Sequence, residues 1–134
     1  LAVMFLDLDQ FKAVDDTHGH AAGDTVLAIV AERLLNHVRD EDTVCRNGGD
    51  EFLYLLIDPS GRDNVARIAG QLRTTLARPI AVTGLELAIT PSIGIALYPD
   101  HGKTADVLVA HADAAMYRSK QQRSPWEFYQ PAGS

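Results

Sequence analysis

The opening of the chain constrains the fold most. Leu1-Ala2-Val3-Met4-Phe5-Leu6 carries no polar side chain and runs directly into Asp7-Leu8-Asp9. An unbroken apolar run this short predicts a strand over residues 1–8, central in its sheet and buried on both faces. The whole chain has 134 residues, which suits one domain with one core. Apolar residues make up 46% and charged residues 22%, a globular composition that rules out a disordered chain. The net charge of −6 argues against a general nucleic-acid binder and against a membrane-surface binder. It leaves room for a phosphate ligand held locally by a few cations and a metal. Cys45 is the single cysteine and cannot form an internal disulfide, which points to a reducing compartment. The most apolar stretch, 80–99, is interrupted by Glu86, Pro91 and glycines, short of a membrane helix. No signal peptide is visible, and the missing initial Met reads as a piece of a longer protein.

Periodicity organises the rest. Residues 10–16 predict a short helical turn, and His18 to Gly23 a glycine-bounded loop. Asp24 then precedes Leu27, Val30, Ala31, Leu34, Leu35 and Val38 at helical spacing, in position to cap that helix. Residues 42–46 and 51–57 read as strands around Asn47-Gly48-Gly49-Asp50, a hairpin signal because both central turn residues need positive φ. Residues 62–77 predict a helix that Pro79 ends. Residues 80–82 and 85–97 suggest a second hairpin around Thr83-Gly84. Residues 104–121 predict a helix with Val107, Leu108, His111, Ala112, Ala115 and Met116 on one face, and Trp126 to Tyr129 a last short strand. The predicted order is β-α-β-β-α-β-β-α-β, an α/β sandwich with helices covering a mixed sheet.

The acids sit where chemistry is expected. Asp7 ends the buried strand, while Asp50 and Glu51 lie at the hairpin tip. A charge beside a core strand is costly unless paired or bound to metal. These three acids either converge on a divalent cation or are solvated turn residues. A magnesium ion takes one or two protein carboxylates together with substrate phosphates, which suits phosphoryl transfer. The adjacent Gly48 and Gly49 favour the metal reading, since bare backbone lets a ligand approach.

Arg46-Asn47-Gly48-Gly49-Asp50-Glu51-Phe52 contains the motif of the GGDEF, or diguanylate cyclase, family. Phe5-Leu6-Asp7-Leu8-Asp9-Gln10-Phe11-Lys12, Gly19-His20-Ala21-Ala22-Gly23-Asp24, Ser92-Ile93-Gly94-Ile95-Ala96 and Ala112-Asp113-Ala114-Ala115-Met116-Tyr117 resemble that family in the same order along nearly the whole chain. The resemblance implies a single GGDEF domain over 1–134, with a sheet wrapped by helices like a polymerase palm or nucleotidyl cyclase (a ferredoxin-like core). It implies a transferase that condenses two GTP into cyclic di-GMP, a bacterial second messenger, and releases two pyrophosphates. By the same resemblance Asp7, the Leu8 carbonyl, Asp50 and Glu51 would hold Mg²⁺ or Mn²⁺. Asp50 would also serve as the base toward the ribose 3′-hydroxyl, and Lys12 would stabilise the transition state; its other reading is a solvated helix residue. Asp15, His20 and Asp24 would contact guanine, Gly48 and Gly49 would admit the substrate, and Lys120 and Arg123 would clamp the triphosphate. For Asp24 the helix cap stands beside the guanine role. A zinc site at His18 and His20 lacks further ligands at suitable spacing. Arg39-Asp40-Glu41-Asp42 matches the family's Arg-x-x-Asp motif, so Arg39 and Asp42 would bind product cyclic di-GMP as inhibitor; the other reading is a charged turn after a helix. The implied protein acts as a homodimer in the cytoplasm, within a parent that is membrane-attached or not. Nucleic acid and direct membrane contact are not expected.

Three departures from the family bear on activity. Asp15 stands where the family usually has Asn, and an ionised carboxylate can only accept from guanine. Asp15→Asn is therefore expected to tighten GTP by about tenfold, one recovered hydrogen bond. Titration of GTP into both forms checks this, and equal or weaker affinity in the variant contradicts it. Lys120-Gln121-Gln122-Arg123-Ser124 lacks the glycine usual before the arginine, so Arg123 falls one position early. The family's initial helix and Leu-Thr-Gly-Leu segment do not precede the first strand, so the domain is expected to lack its N-terminal helix. Phe128-Tyr129-Gln130-Pro131 and Tyr98-Pro99-Asp100-His101-Gly102 resemble GGDEF domains that continue into an EAL phosphodiesterase domain. The alternative function is a catalytically weak or inactive module that binds GTP or cyclic di-GMP and regulates such a neighbour.

Overall fold

In the computed structural model, the strand Ala2–Leu8 (β1) takes the central position that its sequence demands. The structure describes residues 1–131; the last three residues of the expected domain lie outside the described residues. After β1 come helices Phe11–His18 (α1) and His20–His37 (α2), then strands Thr43–Gly48 (β2) and Glu51–Leu56 (β3). Helix Arg62–Leu76 (α3) is followed by strands Ile80–Val82 (β4), Leu85–Leu87 (β5) and Pro91–Leu97 (β6). Helix Ala105–Gln122 (α4) and strand Glu127–Phe128 (β7) complete the order. The main sheet runs β2-β3-β1-β6-β7, with β1 antiparallel to β3 and β6, and β7 parallel to β6. Its first four strands have the order of the ferredoxin-like unit, and helices cover both faces, as expected.

Alternation along β1 explains its composition. Ala2, Met4, Leu6 and Leu8 join a core with Val26, Val30 and Leu34 of α2 and Val65, Ile68 and Leu72 of α3. Val3 and Phe5 point the other way, to Leu108, Ala112 and Met116 of α4. Either face is buried, so no polar residue is tolerated until Asp7. Gly94 lies opposite Phe5 on the α4 face. A Cβ there would run into the Ala112 carbonyl and the Met116 amide. Its absence lets β6 and α4 touch backbone to backbone, which fixes where the end of α4 sits.

Several local expectations are corrected. The 18–23 loop is a single break at Gly19, whose φ of +90° ends α1, and α2 begins at His20. Asp24 is therefore inside α2 and caps nothing. Gly23 explains the early start, because a Cβ there would come within 2.7 Å of Asp15 Oδ1 and 3.2 Å of the Phe11 ring. The close α1–α2 crossing depends on that missing atom. Positive φ falls on Gly48 and Gly49, not on Asn47, so the first hairpin turns later than the Asn-Gly pair suggested. Thr83 and Gly84 both have positive φ, as a tight hairpin needs. The expected 85–97 strand is split, however: β4 and β5 form a separate two-stranded sheet, and β6 joins the main one. Leu35 and Val107, expected on buried faces, are 60% and 40% exposed. Among the described residues, no helix is long and apolar enough to cross a membrane.

Candidate active site

The end of β1 and the β2–β3 turn meet by backbone register. Asp7 lies opposite Glu51, and the Leu8 amide donates to the Asp50 carbonyl at 3.3 Å. In an antiparallel ladder a residue's N–H and C=O face the same neighbour, so the Leu8 carbonyl is turned toward the hairpin. The Arg46 Nε–H donates to the Gly49 carbonyl at 2.8 Å and pins the turn from within. A Cβ added at Gly48 or Gly49 would meet nothing within 4 Å, so the space over both glycines is open.

The Asp7 and Asp50 carboxyls come together. Burial, then the neighbouring Asp7 carboxylate, push the Asp50 carboxyl above its ordinary value. Lys120 closes the group from α4: its Nζ donates to Asp7 Oδ2 at 2.8 Å and lies 4.0 Å from Asp9. Burial works against the Lys120 charge, but the hydrogen bond and charge of Asp7, with Asp9 and Asp50 beyond, outweigh it and raise its pKa. Asp7 Oδ1 is buried and has no hydrogen-bond partner among the described residues. An unpartnered buried carboxylate oxygen beside a second carboxylate and a turned carbonyl is a set of hard oxygen donors, which fits magnesium or manganese. Asn47 Nδ2 donates to Glu51 Oε1 at 3.4 Å, and among the described residues no three His, Cys, Asp or Glu side chains converge. Two carboxylates suffice for a magnesium ion that keeps waters and phosphates.

Beside this group lies a polar cleft of about 480 Å³, lined by Asp9, Gln10, Arg73, Thr90, Ser92, Lys120, Arg123 and Ser124 among others. Lys120 and Arg123 thus line one cleft. The early Arg123 is accommodated by a left-handed conformation, φ +54°, at the end of α4. Asp9 is held by Ser92, whose Oγ donates to Asp9 Oδ1 at 2.5 Å. Arg73 was not foreseen. It follows the buried Leu72 on α3, and nothing in its local sequence distinguishes it from a solvated helix arginine.

The expected guanine contacts divide. Asp15 Oδ1 and His20 Nδ1 hydrogen-bond at 3.0 Å across the α1–α2 junction. Asp24 lines a different cleft of about 420 Å³, with Leu27, Arg46 and Phe52. Lys12 is exposed on α1 and joins no ion pair among the described residues.

Arg39 and Asp42 form a two-pronged pair, with Nε–Oδ2 at 2.7 Å and Nη2–Oδ1 at 3.2 Å. The Asp42 side chain is fully buried, and its Oδ1 also accepts from the Ile57 amide at 3.0 Å. Asp42 therefore ties the α2–β2 turn to the end of β3, a structural duty alongside any ligand role. Asp42→Ala is expected to lower stability by about 2 kcal/mol, since it strands the Ile57 amide. Denaturant unfolding measures this, and an unchanged midpoint contradicts it.

The sheet thus carries an acidic pair at a glycine turn, with a basic cleft beside it. The chain matches the family model described as "Diguanylate cyclase, GGDEF domain" over residues 1–125. It belongs to the GGDEF family. It is 48% identical over 121 residues to the "Bifunctional diguanylate cyclase/cyclic di-GMP phosphodiesterase MucR" of Pseudomonas aeruginosa, covering 90% of this chain and 18% of that protein. It is 44% identical to "Diguanylate cyclase TpbB" of Pseudomonas aeruginosa, covering 91% of this chain and 28% of that one. The chain spans less than a third of these curated relatives. Among solved structures, the GGDEF domain of the latter protein superposes with a TM-score of 0.93 at 40% identity, covering 97% of this chain and 82% of that chain.

Proposed function

We propose that the domain condenses two GTP molecules into cyclic di-GMP with release of pyrophosphate. The observation that carries this reading is the approach of Asp7 and Asp50, with a buried Asp7 oxygen left without a partner. Asp7, the Leu8 carbonyl and Asp50 would hold the Mg²⁺ or Mn²⁺ that the donor set fits. Such an ion supplies charge neutralisation at the reacting phosphate and acidifies the attacking hydroxyl. The chain's own groups do the rest. The open backbone at Gly48 and Gly49 admits the nucleotide. Asp50, whose carboxyl is pushed upward, accepts the proton of the ribose 3′-hydroxyl. Lys120 and Arg123 hold phosphate oxygens, and Asp15, His20 and Asp24 would contact the base from the α1–α2 side. Lys12, exposed on α1, is available to the developing phosphoryl charge. One domain binds one GTP, so two copies face each other and supply hydroxyl and α-phosphate from opposite sides; proximity is the main catalytic task. Arg39 would bind the product as inhibitor, with Asp42 orienting its guanidinium.

A second reading is supported by the company this domain keeps. Proteins named "Cyclic di-GMP phosphodiesterase NbdA" and "Cyclic di-GMP phosphodiesterase PdeR" carry segments 45% and 37% identical to this chain. In that reading the domain binds nucleotide and regulates an attached phosphodiesterase, and Asp15 accounts for its weak turnover. Incubating the parent protein with GTP and Mg²⁺ separates the two. Cyclic di-GMP with two equivalents of pyrophosphate supports the cyclase, whereas GTP binding without product supports the module.

A further inference from the structure

We infer that Arg73 is a binding residue for the terminal phosphates of the nucleotide, completing a polyphosphate subsite between α3 and α4; this deepens the cyclase reading and rests on it. Three cations line the cleft beside Asp7, namely Arg73, Lys120 and Arg123. Lys120 is already hydrogen-bonded to Asp7. Asp9, the acid in the cleft wall, is hydrogen-bonded by Ser92. Arg73 joins no ion pair among the described residues, and its Nε is buried without a partner. The Ser124 hydroxyl, in the same cleft wall, is likewise buried without one. A buried guanidinium N–H and a buried hydroxyl left unpaired are costly, and an anion accepting from both removes that cost.

The geometry selects polyphosphate over a smaller anion. The cleft holds about 480 Å³ and begins at Asp9 and Lys120, next to the acidic pair. A nucleotide with its reacting α-phosphate at Asp7 and Asp50 would run its β- and γ-phosphates along this wall. Arg73 presents a planar fork that suits phosphate oxygens, whereas lysine offers only a point charge. Because the subsite comes from α3, it binds phosphates without contributing to the guanine contacts.

Calorimetric titration of the protein with GTP, GMP and inorganic pyrophosphate tests the inference. Arg73→Gln is expected to weaken GTP and pyrophosphate by about tenfold and to leave GMP unchanged, with Arg73→Lys intermediate. Ser124→Ala, which removes only a hydroxyl, is expected to weaken the same two ligands less, and unchanged melting temperatures show that both variants fold. Retained GTP and pyrophosphate affinity in Arg73→Gln overturns the assignment, as does an equal loss for GMP or a wild-type protein that binds neither ligand. If the wild type forms no cyclic di-GMP but loses pyrophosphate binding with Arg73, the subsite stands and the cyclase reading falls.

Discussion

Gly94→Ala will destabilise the domain by roughly 4 kcal/mol or more, among the largest effects of a single added methyl group. The new Cβ has no flexible side chain to displace. It would meet the backbone of α4 at Ala112 and Met116, so the helix must move away from β6 as a unit. A typical domain holds about 5–15 kcal/mol in total, and a loss of this size removes much of it. Thermal or urea unfolding reads it directly. A variant that unfolds within about 1 kcal/mol of the wild type contradicts the close β6–α4 packing. A milder consequence follows for function, because Lys120 and Arg123 ride on the far end of α4 and shift with it.

Asp50→Asn is expected to lower cyclic di-GMP formation by on the order of 10³-fold or more, because one group loses two duties. The amide cannot accept the hydroxyl proton, and it replaces an anionic ligand with a neutral one. Stability should hold or rise slightly, since Asp50 is partly buried against Asp7 and its charge is disfavoured there. Rates from purified protein with circular dichroism as the fold control check this. Turnover within tenfold of wild type removes Asp50 from the mechanism.

How much of this was legible in the sequence depends on range. β1 could be read because double-sided burial leaves a mark on composition itself, and β3, α3 and α4 because one buried face imposes a period. The α2 start could not be read from Asp24, because what sets it is the packing of Gly23 against Asp15 and Phe11 in three dimensions. The 85–97 run hid a change of sheet, since β5 and β6 have similar β-prone residues but different partners. The acidic pair was legible as a motif. Its neighbour Lys120, 113 positions beyond Asp7, was placed only by resemblance, and Arg73 had no signal at all. Glu51, which the motif counts with Asp50, accepts from Asn47 across the turn, a contact no spacing rule pointed to.

In the proposed mechanism Asp7 and Asp50 together hold a divalent cation that receives a guanosine triphosphate. Electron paramagnetic resonance of Mn²⁺ with a non-reacting GTP analogue, in wild-type, Asp7→Asn and Asp50→Asn proteins, addresses it most directly. The expected result is a protein-bound, nucleotide-dependent Mn²⁺ signal in the wild type that is lost in both variants. Equal Mn²⁺ uptake by all three proteins would contradict it.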